Sequence, residues 1–146
     1  MSAASLEVRQ FDPSEAALWA ELRTRLWPGA EPGELERVQG LMTYLGWGAW
    51  LEGQAVGFAE LSLRPFANGC QGNPVPFLEG VWVDPAQRRG RVGAELLAAC
   101  EGWALDAGYA ELGSDAELDN AVSLQAHAAW GFEETERVVC LRKALA

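Results

Sequence analysis

The sequence predicts an α/β (α+β) fold in which a mixed central β-sheet is flanked by helices, and three observations carry that prediction. Segments with strand-like alternation and segments with helical periodicity follow one another in the order β-α-α-β-β-β-α-β-α-β, for which a sheet covered by helices is the natural layer solution. The 146 residues, 49% of them hydrophobic, fit one domain over residues 1–146, long enough to bury a core without metals or disulfides. No internal repeat or low-complexity tract interrupts the order.

Residues 6–11 alternate like a short strand, and Asp12-Pro13-Ser14-Glu15 then supplies an N-cap, a proline at the first helical position and an acidic third position. In the helix that follows, Ala16, Leu18, Trp19, Leu22 and Leu26 share one stripe, and Trp27-Pro28-Gly29 ends it. A second helix is expected from about Gly33 through Val38, Leu41 and Leu45. Residues 47–52 and 55–64 read as strands joined by a turn at Glu52-Gly53-Gln54, a spacing that suits an antiparallel hairpin.

Pro65 to Pro76 has loop composition, and residues 77–83 form an apolar strand stopped by Asp84-Pro85. Val92 to Ala107 is helical, with Leu96, Leu97, Cys100 and Trp103 at helical spacing and Gly108 placed to terminate it. A strand over 109–114, a helix over about 120–130 ended by Gly131 and a last strand region over 132–143 complete the order.

With 21 acidic against 11 basic side chains the formal net charge is -10, which disfavours a nucleic-acid backbone as partner and favours a cationic one. Excess charge that only aids solubility fits the same numbers. Cys70, Cys100 and Cys140 are odd in number and lack metal-ligand spacing, and no basic start followed by an apolar run opens the chain, so a reduced, cytoplasmic setting is expected. No apolar segment approaches the roughly twenty residues that span a bilayer, so no membrane partner is expected.

The junction richest in chemical content runs from the strand 77–83 through Asp84-Pro85-Ala86-Gln87-Arg88-Arg89-Gly90-Arg91-Val92-Gly93 into a helix. A basic, glycine-containing turn at a helix N-terminus offers unpaired N–H groups and a positive dipole to an anion such as a diphosphate. Taken alone, the same turn reads equally as a solvent-exposed, arginine-rich connection.

The pattern V-D-P-x-x-R-x-x-x-V-G-x-x-L-L resembles the acetyl-CoA loop of the GNAT superfamily, which reads Arg or Gln, two residues, Gly, one residue, then Gly or Ala. Arg88 and Gly93 match the first and last positions; Arg91 replaces the middle glycine, with Gly90 one place earlier. Arg91 must adopt a backbone compatible with its Cβ, so a local rearrangement of the loop is expected. A narrower resemblance covers nearly the whole chain. The blocks Leu26-Trp27-Pro28-Gly29, Gly57-Phe58-Ala59-Glu60, Asn68-Gly69-Cys70, Phe77-Leu78-Glu79-Gly80, Ser114-Asp115 and Gly131-Phe132-Glu133-Glu134-Thr135-Glu136-Arg137 look like the aminoglycoside 6'-N-acetyltransferases of the GNAT fold.

That resemblance implies acetyl-CoA as co-substrate, no metal, and splayed strands at the acetyl-CoA site, where a backbone N–H stabilises the developing oxyanion of acyl transfer. It implies that the pantetheine arm bonds to the main chain around Val81, Trp82 and Val83, with Asn120 and Ser123 against it, and that Arg88, Arg89, Gly90, Arg91, Val92 and Gly93 hold the pyrophosphate. It further implies a wall for the cationic substrate made by Trp27, Phe66, Glu79, Asp115 and Glu136, direct attack in a ternary complex, and a homodimer.

An alkyl ammonium must lose a proton before it attacks a thioester, and Asp115 and Glu79 are the acids the resemblance assigns to that task. Glu79 is the more anomalous, bracketed by Phe77, Leu78, Val81 and Trp82. His127, the one histidine, stands where many members of the superfamily have a tyrosine that protonates the departing thiolate. Each assignment has a plainer alternative: Glu79 on the polar face of its strand, Asp115 capping a turn, Glu136 in a solvated run, Trp27 in rim packing, Asn120 as an N-cap, His127 as a packing residue. Two further activities stay open, acetylation of a polyamine or protein N-terminus and non-catalytic binding of an acyl-CoA. The apolar stretch Val138-Val139-Cys140-Leu141 is expected to be a strand shared between subunits, with Glu136 near the boundary.

Overall fold

The computed structural model describes residues 5–146. Its elements are β1 (Leu6–Gln10), α1 (Ala16–Leu26), α2 (Glu34–Leu41), β2 (Tyr44–Leu51), β3 (Gln54–Arg64), β4 (Val75–Val83), α3 (Val92–Asp106), β5 (Gly113–Ser114) and α4 (Ala121–Ala129). The five strands form one sheet in chain order, antiparallel except for the parallel pair β4–β5. The expected mixed sheet flanked by helices is therefore present.

The start of α1 follows its sequence signal. Asp12 accepts the N–H of Ser14 at 2.8 Å, and Glu15 reaches back to accept the N–H of Asp12 at 2.9 Å, closing a capping box around a short 3₁₀ turn. On one face of the sheet Trp47, Ala49, Leu61 and Leu78 pack against Leu96, Leu97 and Cys100 of α3. On the other face Phe58 and Trp82 meet Trp19 and Leu22 of α1 and Leu35 of α2.

Two glycines make the second contact possible. A Cβ on Gly46 would lie 2.4 Å from the ring of Trp19, and a Cβ on Gly80 would lie 2.7 Å from Trp27, so both rings lie directly on strand backbone.

Four expectations about element bounds need correction. Helix α2 ends at Leu41 rather than running to Leu45, because Tyr44 and Leu45 pair with Ser62 and Leu61 as the start of β2. Strand β4 begins two residues early, at Val75. Strand β5 keeps only Gly113 and Ser114 of the expected 109–114. Tyr109 stacks on Trp103 at 6.2 Å, and the Glu111 carboxylate accepts the N–H groups of Gln71 and Gly72 from the loop before β4, so this stretch is held without strand pairing. Residues 132–143 form no strand, and from Glu133 onward every residue is exposed. A strand needs a partner edge, and β5 offers an edge only two residues long.

A buried ion pair ties α1 to the middle of the sheet. Glu60 of β3 is fully buried and accepts two bonds from Arg23 Nη1 at 2.6 and 2.8 Å, one from Trp19 Nε1 at 2.8 Å and one from the Tyr44 hydroxyl. Arg23, itself buried, also faces Glu34 at 3.5 Å. Burial pushes the Glu60 carboxyl up from its ordinary range, while Tyr44, Arg23 and Trp19 all favour its charged form. Burial and the nearby Glu60 charge together push the Tyr44 phenol up. Neither charge was expected from the sequence, although Arg23 lies on the apolar stripe of α1 between Trp19 and Leu26.

Removing one partner strands the other charge in the core. Glu60→Ala is expected to lower unfolding free energy by about 3–5 kcal/mol, and the double variant Arg23→Met/Glu60→Leu to recover most of that loss. Urea unfolding of the three proteins checks this; a single variant as stable as the parent would refute it.

Candidate active site

The site is built where β4 loses a neighbour. Only Phe77 and Leu78 of β4 pair with β5, opposite Gly113 and Ser114, whereas β4 continues alongside β3 to Val83. From Glu79 onward the side of β4 that faced β5 carries no strand among the described residues, which is the splay that the resemblance implies.

A β-bulge sits at the same point. Glu60 is opposite Gly80 and Leu61 opposite Leu78, so Glu79 has no partner on β3. Leu78 packs with α3, yet Trp82, four residues on, packs with α1, so the extra residue switches which face each side chain takes. Glu79 is half-buried at this switch and is held by two side chains of β3. Ser62 donates to Oε1 at 3.1 Å, Arg64 Nε to Oε1 at 3.1 Å, and Arg64 Nη2 to both oxygens at 2.7 Å. Arg64 in turn lies over the ring of Phe77, 3.6 Å from its centroid.

Beyond β4, the chain reaches α3 through the arginine-rich turn. Arg88 folds back so that its Nε donates to the Val83 carbonyl at 2.9 Å. Arg91 has φ -93° and ψ -4°, an ordinary right-handed conformation at the helix N-cap. The rearrangement expected of the loop falls instead on Arg89, which takes φ 66°, a left-handed backbone uncommon for a residue with a Cβ. No side chain caps α3, and its first helical bond runs from the Glu95 N–H to the Arg91 carbonyl, which leaves the N–H groups of Val92, Gly93 and Ala94 for an anion. Gly93 has a second role: a Cβ there would stand 3.2 Å from Trp130, at the end of α4. The start of α3 and the end of α4 are thus in contact.

Helix α4 brings the histidine to the last rung of β4–β5. His127 Nε2 lies 2.8 Å from Ser114 Oγ, and its Nδ1 lies 2.7 Å from the Ser123 carbonyl. The ring sits between Trp130 and Phe132, with centroids 5.6 and 5.1 Å away. Asn120 is the N-cap of α4 and accepts the Ser123 N–H at 3.0 Å.

A cavity of about 450 Å³ opens beside this rung. Asp115, His127 and Glu136 all line it, together with Glu133, Glu134 and Arg64. Arg137 pairs with Glu134, and Arg64 pairs with Glu79. Asp115, Glu133 and Glu136 are left without a cationic partner among the described residues. The remaining predicted wall residues do not line it: Glu79 reaches it only through its partner Arg64, Trp27 packs over Gly80 and edge-on to Phe58, and Phe66 is exposed on the loop after β3. Val81, Trp82 and Val83 follow the bulge along the open side of β4, and the Trp82 side chain is buried toward α1.

Sequence reasoning missed Ser62 and Arg64 as the holders of Glu79 and Ser114 as the partner of His127. The His127–Ser123 contact was legible as an i, i−4 spacing on one helix face. The others depend on a bulge and a parallel pairing that no local pattern announces.

Comparison with known proteins agrees with this geometry. The sequence profile of the acetyltransferase (GNAT) family matches residues 10–132. An aminoglycoside N(6')-acetyltransferase type 1 from Stenotrophomonas maltophilia is 44% identical over 99% of this chain and 97% of its own, and one from Salmonella enteritidis is 38% identical over 94% and 99%. Among solved structures, AAC(6')-Iy with the bisubstrate analogue CoA-S-monomethyl-acetylneamine superposes with a TM-score of 0.88 at 36% identity, covering 97% of this chain and 99% of that one. AAC(6')-Ih from Acinetobacter baumannii gives 0.86 at 37% identity, covering 97% and 100%. The strand gap, the uncapped helix after it and the sequence match over most of the length lead to one assignment: the chain belongs to the acetyltransferase (GNAT) family.

Proposed function

We propose that this protein is an aminoglycoside 6'-N-acetyltransferase, a one-domain enzyme that moves acetyl from acetyl-CoA to the 6'-amine in a ternary complex and so gives antibiotic resistance. The observation that carries the reading is the position of the cavity, in which three carboxylates without cationic partners stand next to the strand gap. A polycationic aminoglycoside supplies the missing positive charges, and the names of the relatives point the same way.

The residues fit acetyl-CoA. Free N–H groups at the start of α3, with the basic turn before it, suit a pyrophosphate, and the open side of β4 from Glu79 to Val83 suits an amide-bearing arm. When bound, acetyl-CoA supplies the acetyl group as a thioester. Asp115, exposed and unpaired, accepts the proton of the substrate ammonium. A main-chain N–H at the gap donates to the carbonyl oxygen as negative charge develops there. His127 returns a proton to the sulfur side as the carbon–sulfur bond breaks. Glu79, already engaged by Arg64 and Ser62, is the substrate-binding and water-holding partner rather than the base.

We also infer a homodimer. The outer edge of β5 carries no strand among the described residues, and a groove of about 290 Å³ along the segment that leads into β5 is lined by Leu105, Tyr109, Leu112, Trp130 and Phe132. Val139 and Leu141 are 83% and 90% exposed, and a copy of this apolar segment from a second chain suits that groove. Glu136 then lies at the subunit boundary. The free thiols of Cys70, Cys100 and Cys140 favour a cytoplasmic location.

Two experiments test these readings. In a thiol-release assay with acetyl-CoA, turnover is expected with kanamycin and to be weak with spermidine. Asp115→Asn should lower kcat about 100-fold, and Glu79→Gln should raise KM for the drug more than it lowers kcat. Wild-type rates for both variants across pH would remove the assigned acids. In sedimentation at micromolar concentration, the full chain is expected to be a dimer and a chain truncated after Arg137 a monomer of reduced activity. A fully active monomeric parent would remove the shared wall.

A further inference from the structure

The contacts of His127 determine more than its place in the cavity. Nδ1 lies 2.7 Å from the Ser123 carbonyl, which can only accept, and 3.3 Å from the Ser123 hydroxyl, which can accept as well, so a hydrogen on Nδ1 satisfies both contacts in either charge state. Nε2 is therefore the nitrogen that gains and loses a proton, and it points at Ser114 Oγ, 2.8 Å away. Ser114 has one hydroxyl hydrogen and two acceptors within reach, His127 Nε2 and the Leu78 carbonyl at 3.2 Å. When the imidazole is neutral, that hydrogen points at Nε2. When the imidazole is charged, Nε2–H donates to Oγ and the hydroxyl hydrogen is free to turn to Leu78.

We propose that Ser114 is a positioning residue that ties the charge state of His127 to the last closed rung between β4 and β5. The rung matters because the parallel pairing has only two residue pairs, Phe77–Gly113 and Leu78–Ser114, and the strands part immediately beyond it. The Ser114-to-Leu78 bond is an additional tie at the mouth of the gap, made when His127 is protonated and lost when it is neutral. The bulge residue Glu79 follows Leu78 directly, so the same switch acts on the strand segment that carries a candidate substrate-binding acid.

This rests on the reading of His127 as the proton donor of the transfer and deepens it. One proton passes from Nε2–H to the leaving sulfur, directly or by way of the Ser114 hydroxyl, which gives up its hydrogen and takes the one from Nε2. The imidazole is left neutral, the Ser114 hydroxyl turns to Nε2, and the tie to Leu78 is released at the stage when products must leave. The charged groups around the ring are Asp115 beyond β5, Glu133, Glu134, Glu136 and Arg137 in the C-terminal segment, and Arg64 on β3. All of these line the cavity; among the described residues the one ionisable side chain bonded to Ser114 Oγ is His127.

The test is nuclear magnetic resonance of the full chain across pH, and its one histidine makes the imidazole signal self-assigning. The expected result is a neutral imidazole with hydrogen on Nδ1, and a Leu78 carbonyl-carbon shift that titrates with the same midpoint as the ring. In Ser114→Ala the ring should still titrate while the Leu78 shift goes flat, and Ser114→Thr should restore the coupling. A flat Leu78 carbonyl in the parent, or one that follows the ring equally in Ser114→Ala, overturns the proposal. If Ser114→Ala does not fold, His127→Gln decides, because its Leu78 carbonyl must lose the titration; retention of it is a refutation. Wild-type turnover in His127→Gln would instead remove the donor role and leave the tie between Ser114 and Leu78 standing.

Discussion

Strand β4 must satisfy β3 along its whole length while it gives up β5 halfway, and the active site is the product of that conflict. The bulge at Glu79 resolves it by inserting one unpaired residue where the second neighbour departs. A strand without the bulge would keep Leu78 and Trp82 on one face, and either the α3 core or the α1 core would lose its central side chain. The same inserted residue holds a carboxylate at the mouth of the gap, where Ser62 and Arg64 from the neighbouring strand can reach it. Folding and chemistry therefore share one irregularity.

On the opposite face of the sheet a polar anchor is added to the apolar packing of Phe58 and Trp82 against Trp19, Leu22 and Leu35. Glu60 and Arg23 are both out of water, and such a pair contributes little net stability compared with a well-packed apolar one. Its effect is directional. Four hydrogen bonds from three side chains converge on one carboxylate, so α1 is held at one rotation over β3, and the Arg23 guanidinium 4.9 Å from the Trp27 ring carries that constraint to the end of the helix. Trp27 then seats on Gly80, one residue past the bulge.

Much of this was legible in the sequence, and the division follows the range of the forces involved. The capping box at Asp12 and Glu15, the span of α3 and the hairpin of β2 and β3 are local, and their signals lie within a few residues. Asp115, His127 and Glu136 were named from blocks of sequence and do line one cavity. The length of β5, the state of residues 132–143 and the pairing of Ser114 with His127 depend on partners distant in the chain, or on a second chain, and no local periodicity encodes them. The turn at Arg88 to Gly93 lies between these cases. Its anion-binding potential was readable, but the left-handed backbone at Arg89 was not.

The seating of two tryptophans on bare backbone has an evolutionary consequence. Gly46 with Trp19 and Gly80 with Trp27 are each one unit of shape, in which the ring occupies the volume that a Cβ would take. A larger residue at either glycine is excluded while the indole is present, and a smaller residue at either tryptophan leaves a void over a glycine that cannot fill it. Each position is thus conditional on its partner, with a coupling of about 0.5–3 kcal/mol typical of side chains in contact. Drift among descendants of this chain is confined there to paired exchanges, so the helix α1 and the strands beneath it can change their aromatic content only in step.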